Sequence, residues 1–261
     1  MKRPPLLSLC VSADYAGERS VLRDLSLDVG RGEILGLVGQ SGCGKSTLAL
    51  AILKLLYLKG GKAEGFIHFN DRDLMALKER EMRKLRGKEI GLVLQSPMSS
   101  LNPALRIGTQ LGEAWKIHKS GGREECRQAL LESLERVSLP AEEDFLRRFP
   151  SQLSVGQAQR VLIIMALLHS PPLLIADEPT SALDIITQRE ILDVLVRIGK
   201  QQKMGILFIS HDLSTIATRC DRLAILHEGR IVECGHLKTV LAAPEHSYTK
   251  ELIAAVPKWV L

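Results

Sequence analysis

Eight residues, Gly39-Gln40-Ser41-Gly42-Cys43-Gly44-Lys45-Ser46, put three glycines, a lysine and a terminal hydroxyl into one short stretch. Glycines so spaced let backbone N–H groups curl around an anion, because they accept positive φ and close approach. Ile34-Leu35-Gly36-Leu37-Val38 before the stretch reads as a buried parallel strand, and Thr47-Leu48-Ala49-Leu50-Ala51-Ile52-Leu53 after it as a helix. A helix N-terminus adds N–H donors and the positive end of its dipole. The whole is a G-x-x-x-x-G-K-[ST] phosphate loop in strand-loop-helix context. Lys45 then reaches the β- and γ-phosphates and Ser46 ligates Mg²⁺, while Gly39, Ser41, Gly42, Cys43, Gly44 and Thr47 complete the lining. A nucleoside triphosphate with magnesium is the implied ligand.

A second apolar run, Leu173-Leu174-Ile175-Ala176, follows Pro171-Pro172 and ends in Asp177-Glu178. Ligands of open α/β sheets bind beyond the carboxyl ends of the strands, so these acids can lie beside the phosphate loop. Asp177 then holds the magnesium shell, and Glu178 is placed to polarise an attacking water as general base. Taken singly, the pair also fits a helix cap followed by a first-turn acid.

Further motifs follow in order, and with them the chain resembles the ATP-binding cassette (ABC) family of ATPases across essentially its whole length. Gln95, in Val93-Leu94-Gln95-Ser96-Pro97, resembles the Q-loop glutamine, which touches magnesium and the nucleophilic water and contacts the membrane partner. Leu153-Ser154-Val155-Gly156-Gln157 resembles the signature sequence. The resemblance implies that Ser154, Gly156 and Gln157 bind the γ-phosphate of ATP held by an opposite subunit. Ser181-Ala182-Leu183-Asp184 matches the D-loop, His211 after Ile206-Leu207-Phe208-Ile209-Ser210 the switch histidine, and Tyr15 the aromatic ring that stacks on adenine. Bland readings stand beside these: Gln95 and Asp184 as loop polar groups, His211 as a strand-end histidine, and Ser154 as a helix cap, which is compatible with an anion site. The family usually has glycine at Val155. A β-branched residue resists positive φ, so either the backbone there is ordinary or the loop is altered. Cys43 lies near a helix N-terminus and Lys45, surroundings that lower a thiol pKa; it also reads as a small residue in a permissive slot.

The resemblance implies an α/β fold: a P-loop NTPase core with a mostly parallel sheet, an antiparallel β subdomain and an inserted helical subdomain. The chain reads as one ABC ATPase domain over residues 1–261. Its helical insertion spans about 95–165, where patterns such as Arg123 to Leu134 are helical, and a helical tail spans about 233–261. Strand-helix alternation resumes from Leu173 to Val232.

Ser96-Pro97-Met98-Ser99-Ser100-Leu101-Asn102-Pro103 and Ala243-Pro244-Glu245-His246-Ser247-Tyr248-Thr249-Lys250 are similar to the branch that energises import of oligopeptides, dipeptides and nickel. That implies integral membrane permease subunits, a second ABC ATPase subunit, and indirectly an extracytoplasmic substrate-binding protein, at the cytoplasmic face of the inner membrane. No appended cysteine-rich segment follows Val256-Pro257-Lys258-Trp259-Val260-Leu261, so no iron-sulfur cluster is inferred.

Composition agrees. The 261 residues are 45% hydrophobic, enough for one sizeable core. The five cysteines are scattered without a C-x-x-C pair, as suits a reducing compartment, and the seven histidines show no metal spacing. Met1-Lys2-Arg3-Pro4-Pro5 lacks a signal-peptide apolar segment, and the most apolar stretch, Val161 to Ala176, is broken by His169-Ser170-Pro171-Pro172. The net charge of +5 is spread along the chain. Its densest run, Lys78 to Arg86, alternates in sign like a solvated helix face, so direct nucleic-acid binding is not expected. Three alternatives from other classes stand beside this reading. A soluble cassette ATPase acting on ribosomes or nucleic acid would carry two cassettes, whereas one phosphate loop is present. A chromosome or repair ATPase would carry a coiled coil, but no sustained heptads separate Lys45 from Asp177. A non-catalytic regulatory subunit would not need Glu178 and His211.

Overall fold

The computed structural model describes residues 4–16, 18–181 and 183–256. Ala182 of the D-loop motif, Met1-Lys2-Arg3 and residues 257–261 lie outside the described residues.

Alternation of apolar and polar residues makes β1 (Leu7–Tyr15), in which Leu7, Leu9, Val11 and Ala13 are buried and the intervening positions are not. It pairs antiparallel with β2 (Glu18–Val29). Five consecutive buried residues form β3 (Ile34–Val38), and the phosphate loop leads into α1 (Lys45–Ile52). The chain returns along β1 as β4 (Gly61–Phe69), and β5 (Arg72–Asp73) completes a four-stranded antiparallel sheet in the order β2-β1-β4-β5. After α2 (Glu79–Leu85), β6 (Ile90–Val93) enters a second sheet. Helices then occupy the chain: α3 (Pro97–Ser100), α4 (Ile107–Lys116), α5 (Arg123–Arg136), α6 (Glu143–Leu146) and α7 (Val155–Leu167). Among the described residues, no strand lies between Val93 and Leu173. Next come β7 (Leu173–Asp177), α8 (Ile185–Gln202), β8 (Gly205–Ser210), α9 (Leu213–Ile216) and β9 (Arg222–His227). The last elements are β10 (Arg230–His236), α10 (Leu237–Ala242) and α11 (Ser247–Ala254). β10 stays in register with β9 through His236, so the helical part of the tail begins at Leu237 rather than near residue 233.

The second sheet has six strands in the order β10-β9-β3-β8-β7-β6. β9, β3, β8, β7 and β6 are parallel, and only β10 at the edge runs antiparallel. Both faces of the parallel strands are covered, which is why they are apolar along most of their length. Leu35 and Leu37 of β3, Leu173 and Ile175 of β7, and Leu207 and Ile209 of β8 pack towards α1 and the antiparallel sheet. The alternate residues Ile34, Val38, Leu174, Ala176, Ile206 and Phe208 pack among the helices, with α7 and α8 residues such as Val161 and Ile191. The carboxyl ends of β3, β6, β7 and β8 lie at one edge, and the phosphate loop, Gln95, Asp177-Glu178 and His211 follow them, the usual ligand position in such sheets.

Candidate functional site

The phosphate loop takes its shape where glycine is needed. Gly42 and Gly44 have φ of 82° and 108°, and a Cβ on Gly39 would collide with the Leu226 carbonyl at the end of β9. A Cβ on Gly42 would meet nothing within 4 Å, so that side of the turn is open. Lys45 begins α1 with its side chain buried, and its Nζ donates to the carbonyls of Gly39 at 2.7 Å and Gln40 at 2.8 Å. Its charge is thus met by two neutral acceptors, and the third N–H of the ammonium, opposite only the Cys43 sulfur, can turn to a phosphate oxygen. The Tyr15 hydroxyl lies 3.3 Å from Thr47 Oγ1, beside the loop at the end of β1. Cys43 Sγ is 3.9 Å from Lys45 Nζ. Burial nevertheless pushes the Cys43 thiol up, outweighing the lowering influence of Lys45, so the depressed pKa expected from the sequence is corrected.

Asp177 closes β7 almost wholly buried, and its Oδ1 has no hydrogen-bond partner. Burial raises its pKa, with the Ser46 hydroxyl pulling the other way and the neighbouring Glu178 charge adding to the rise. A buried carboxylate oxygen without a partner is costly. Beside a serine hydroxyl and Lys45, it is also an oxygen donor of the kind a hard divalent cation takes. Asp177 and Ser46 therefore fit Mg²⁺.

Glu178 turns the chain out of the sheet with φ of 47°, uncommon for a non-glycine residue, while its N–H donates to the Ile209 carbonyl at 3.0 Å. Its Oε2 accepts from Gln95 Nε2 at 3.0 Å and lies 3.1 Å from His211 Nδ1. Residues from the ends of β6, β7 and β8 thus converge on one carboxylate oxygen. The Asp212 carboxylate, accepting from Ser214 N and Oγ and from Thr215 Oγ1, caps α9 and fixes the turn that carries His211. Burial pushes the Asp212 pKa up, but these hydrogen bonds and the His211 charge leave it below the ordinary value.

The signature residues gather elsewhere. Ser154 caps α7: its Oγ accepts from Gln157 N at 3.2 Å, and Gln157 Oε1 accepts from Ser154 N at 3.1 Å, a reciprocal capping box. Val155 is the first helical residue of α7 and is absent from the positive-φ positions, so its backbone is ordinary. Asp184 caps α8, accepting from Ile186 N, Thr187 N and Thr187 Oγ1. Those bonds, from Thr187 first, hold its carboxyl below the usual range. Ser154, Gly156, Gln157 and Asp184 line one open cleft that includes no phosphate-loop residue. The fold therefore brings Tyr15, Lys45, Ser46, Asp177, Glu178, Gln95 and His211 into one region and leaves the signature group apart from it.

The family profile described as "ABC transporter" matches residues 22–181, more than half of the chain. The chain belongs to the ABC transporter family. It is 44% identical over 259 residues to the peptidoglycan transport ATP-binding protein YejF of Agrobacterium fabrum, covering 97% of this chain and 47% of that protein. It is 41% identical over 244 residues to the oligopeptide transport ATP-binding protein OppD of Bacillus subtilis, covering 93% and 68%. The cassette thus spans about half of the Agrobacterium relative and about two thirds of the Bacillus one. Among solved structures, the cbiO1 subunit from Clostridium perfringens, part of the transporter complex cbiONQ, superposes with a TM-score of 0.80 at 26% identity over 99% of this chain and 98% of that one. The ADP- and Pi-bound dimer of the cassette MJ0796 gives 0.76 at 29% identity, over 88% and 98%. The α/β architecture of two sheets and inserted helices is the fold of ABC ATPase cassettes.

Two contacts of this cassette were not legible in the sequence, although Tyr248 itself belongs to the motif at residues 243–250. Gln159 on α7 is 1% exposed and donates to the Leu94 carbonyl at 3.2 Å, tying the signature helix to the residue before Gln95. Tyr248 of α11 reaches the phosphate loop itself, its hydroxyl accepting from Gln40 N at 3.0 Å. Gln159 had a local signal, a polar residue on an otherwise apolar helix face. Tyr248 stands far from the loop in sequence, and no local pattern links the two.

Proposed function

We propose that this cassette is the ATP-binding and ATP-hydrolysing subunit of a membrane importer whose cargo is a peptide or a nickel or other metal complex. The observation that carries the proposal is the Glu178 carboxylate, oriented by Gln95 at 3.0 Å and His211 at 3.1 Å at the strand ends beside the phosphate loop. Glu178 takes a proton from the attacking water, Gln95 and His211 orient it, and Lys45 with the loop amides binds the β- and γ-phosphates. Mg²⁺ held by Ser46 and Asp177, with Gln95 close by, would neutralise developing phosphate charge. Tyr15 faces the adenine.

The site is completed by a second cassette. Ser154, Gly156 and Gln157 line a cleft that excludes the phosphate loop of their own chain, so they serve the nucleotide of a partner in a head-to-tail homo- or heterodimer, together with Asp184. Opening and closing of that dimer passes through the Q-loop to permease subunits. The names of the relatives, which include oligopeptide, dipeptide and glutathione import, support the cargo class. Among the described residues no helix is long and apolar enough to cross a membrane; attachment would be peripheral, at the cytoplasmic face, with an extracytoplasmic binding protein delivering cargo.

Glu178→Gln tests the proposal. It keeps the shape and the left-handed backbone but removes the base, so phosphate release should fall by about 10²–10⁴-fold while ATP binding persists and the dimer accumulates in sedimentation. Unchanged turnover would remove Glu178 from its role.

A further inference from the structure

The carboxy-terminal segment is held against the nucleotide edge of the sheet by specific contacts. The Glu233 carboxylate on β10 accepts from the backbone N–H of Glu245 at 3.0 Å and of His246 at 3.1 Å, and His246 Nδ1 accepts from Tyr248 N at 3.2 Å. These bonds set the start of α11, whose Thr249 is fully buried. The Tyr248 ring stacks on His227 at the end of β9, with centroids 3.9 Å apart and planes 23° apart. The preceding residue, Leu226, is where the Gly39 backbone rests on β9. Tyr248 is itself 5% exposed, and burial pushes its pKa above the ordinary 10.0, so it remains a neutral phenol.

Its hydroxyl accepts from Gln40 N at 3.0 Å. That N–H belongs to the same planar peptide unit as the Gly39 carbonyl, which accepts from Lys45 Nζ at 2.7 Å. One rigid plane is gripped at its N–H end by α11 and at its C=O end by the lysine of the phosphate loop. Rotation of that plane would turn the carbonyl away from Lys45 and change the direction in which the loop opens. We infer that Tyr248 is a positioning residue of the phosphate loop, fixing the Gly39–Gln40 peptide so that the carboxy-terminal helix sets the loop's affinity for ATP.

The inference rests on residues 39–46 being the nucleotide site, and two readouts on the full chain separate it from that reading. The first is Mg-ATP binding by calorimetry, followed by steady-state turnover. Tyr248→Phe removes the hydroxyl and keeps the ring; its Kd and KM for ATP should rise about three- to tenfold, the worth of one net hydrogen bond, with kcat nearly unchanged. The second is hydrogen exchange of the Gln40 amide without nucleotide. Gln40 is an exposed residue, so a slow amide in the wild type that becomes fast in Tyr248→Phe reports the bond directly. His227→Leu, which removes the stacked ring beneath Tyr248, should move both readouts in the same direction by less. A purely structural role would lower the melting temperature of Tyr248→Phe and leave Kd and Gln40 exchange unmoved, and that result overturns the inference. If Tyr248→Phe does not fold, a fast Gln40 amide in the wild type overturns it and a slow one with weakened ATP binding in His227→Leu upholds it. Wild type that fails to bind Mg-ATP would instead defeat the nucleotide-site reading.

Discussion

Replacing Asp177 by asparagine should make the nucleotide-free protein more stable and leave it unable to use magnesium. The carboxylate is 9% exposed with an unpartnered Oδ1, and burial has raised its pKa from the ordinary 3.8. A raised acid pKa means that the folded state prefers the protonated form. The group therefore costs stability once the pH exceeds its folded pKa, and the cost fades as the pH falls towards its unfolded value. Asparagine has nearly the same shape and no charge. An unsatisfied buried polar group costs about 1–3 kcal/mol, and asparagine keeps part of that cost, so a gain of about 1 kcal/mol is expected, or about 2–4 °C in Tm for a chain of this size. Mg-ATP at a hundred times its Kd should stabilise the wild type by about 2.7 kcal/mol. The variant should lose the magnesium-dependent part of that gain. Differential scanning calorimetry at pH 7 and pH 4, with and without Mg-ATP, reads all three terms. A burial cost at Asp177 is ruled out if Asp177→Asn melts below the wild type at pH 7 or if its advantage grows on acidification, and a magnesium role is ruled out if its magnesium-dependent shift persists.

Other consequences follow from neighbouring contacts. Gln159→Leu cuts the bond between α7 and the Leu94 carbonyl; Tm should fall by about 2–4 °C for the loss of about 1 kcal/mol, and turnover should drop while ATP affinity, measured by calorimetry, holds. Alkylation of Cys43 should be slow at pH 7 and accelerate with rising pH, because burial has raised its pKa and the thiolate is the nucleophile. Its Sγ faces the Gly39 backbone under the loop, so the adduct should abolish ATP binding and bound nucleotide should protect the thiol; full ATP binding after alkylation without nucleotide would contradict this.

The parallel strands were legible because both of their faces are buried: Ile34 to Val38 and Leu173 to Asp177 read as continuous apolar runs and became β3 and β7. The spacing of the phosphate loop likewise announced its turn, since Gly42 and Gly44 adopt the positive φ that their type permits. What depended on three-dimensional neighbours was not legible. Nothing local shows that Glu178 takes a left-handed backbone, because its N–H partner, Ile209, belongs to the adjacent strand. Cys43 illustrates competition between two terms: sequence proximity revealed the nearby lysine charge, whereas the larger desolvation came from packing. Val155 left two readings open, and its place in the first turn of α7 selects ordinary dihedrals. Tyr248 marked a branch of the family in the sequence, yet its bond to Gln40 became visible only in the fold.

A cassette that hydrolyses ATP in order to drive membrane subunits should stay bound to them when hydrolysis is blocked. The decisive measurement isolates tagged Glu178→Gln protein from its native cells in the presence of ATP and identifies the chains that accompany it. Multi-pass membrane proteins should come with it, together with a second cassette ATPase if the dimer is mixed. Ribosomal or DNA-bound proteins in their place would rule out that coupling.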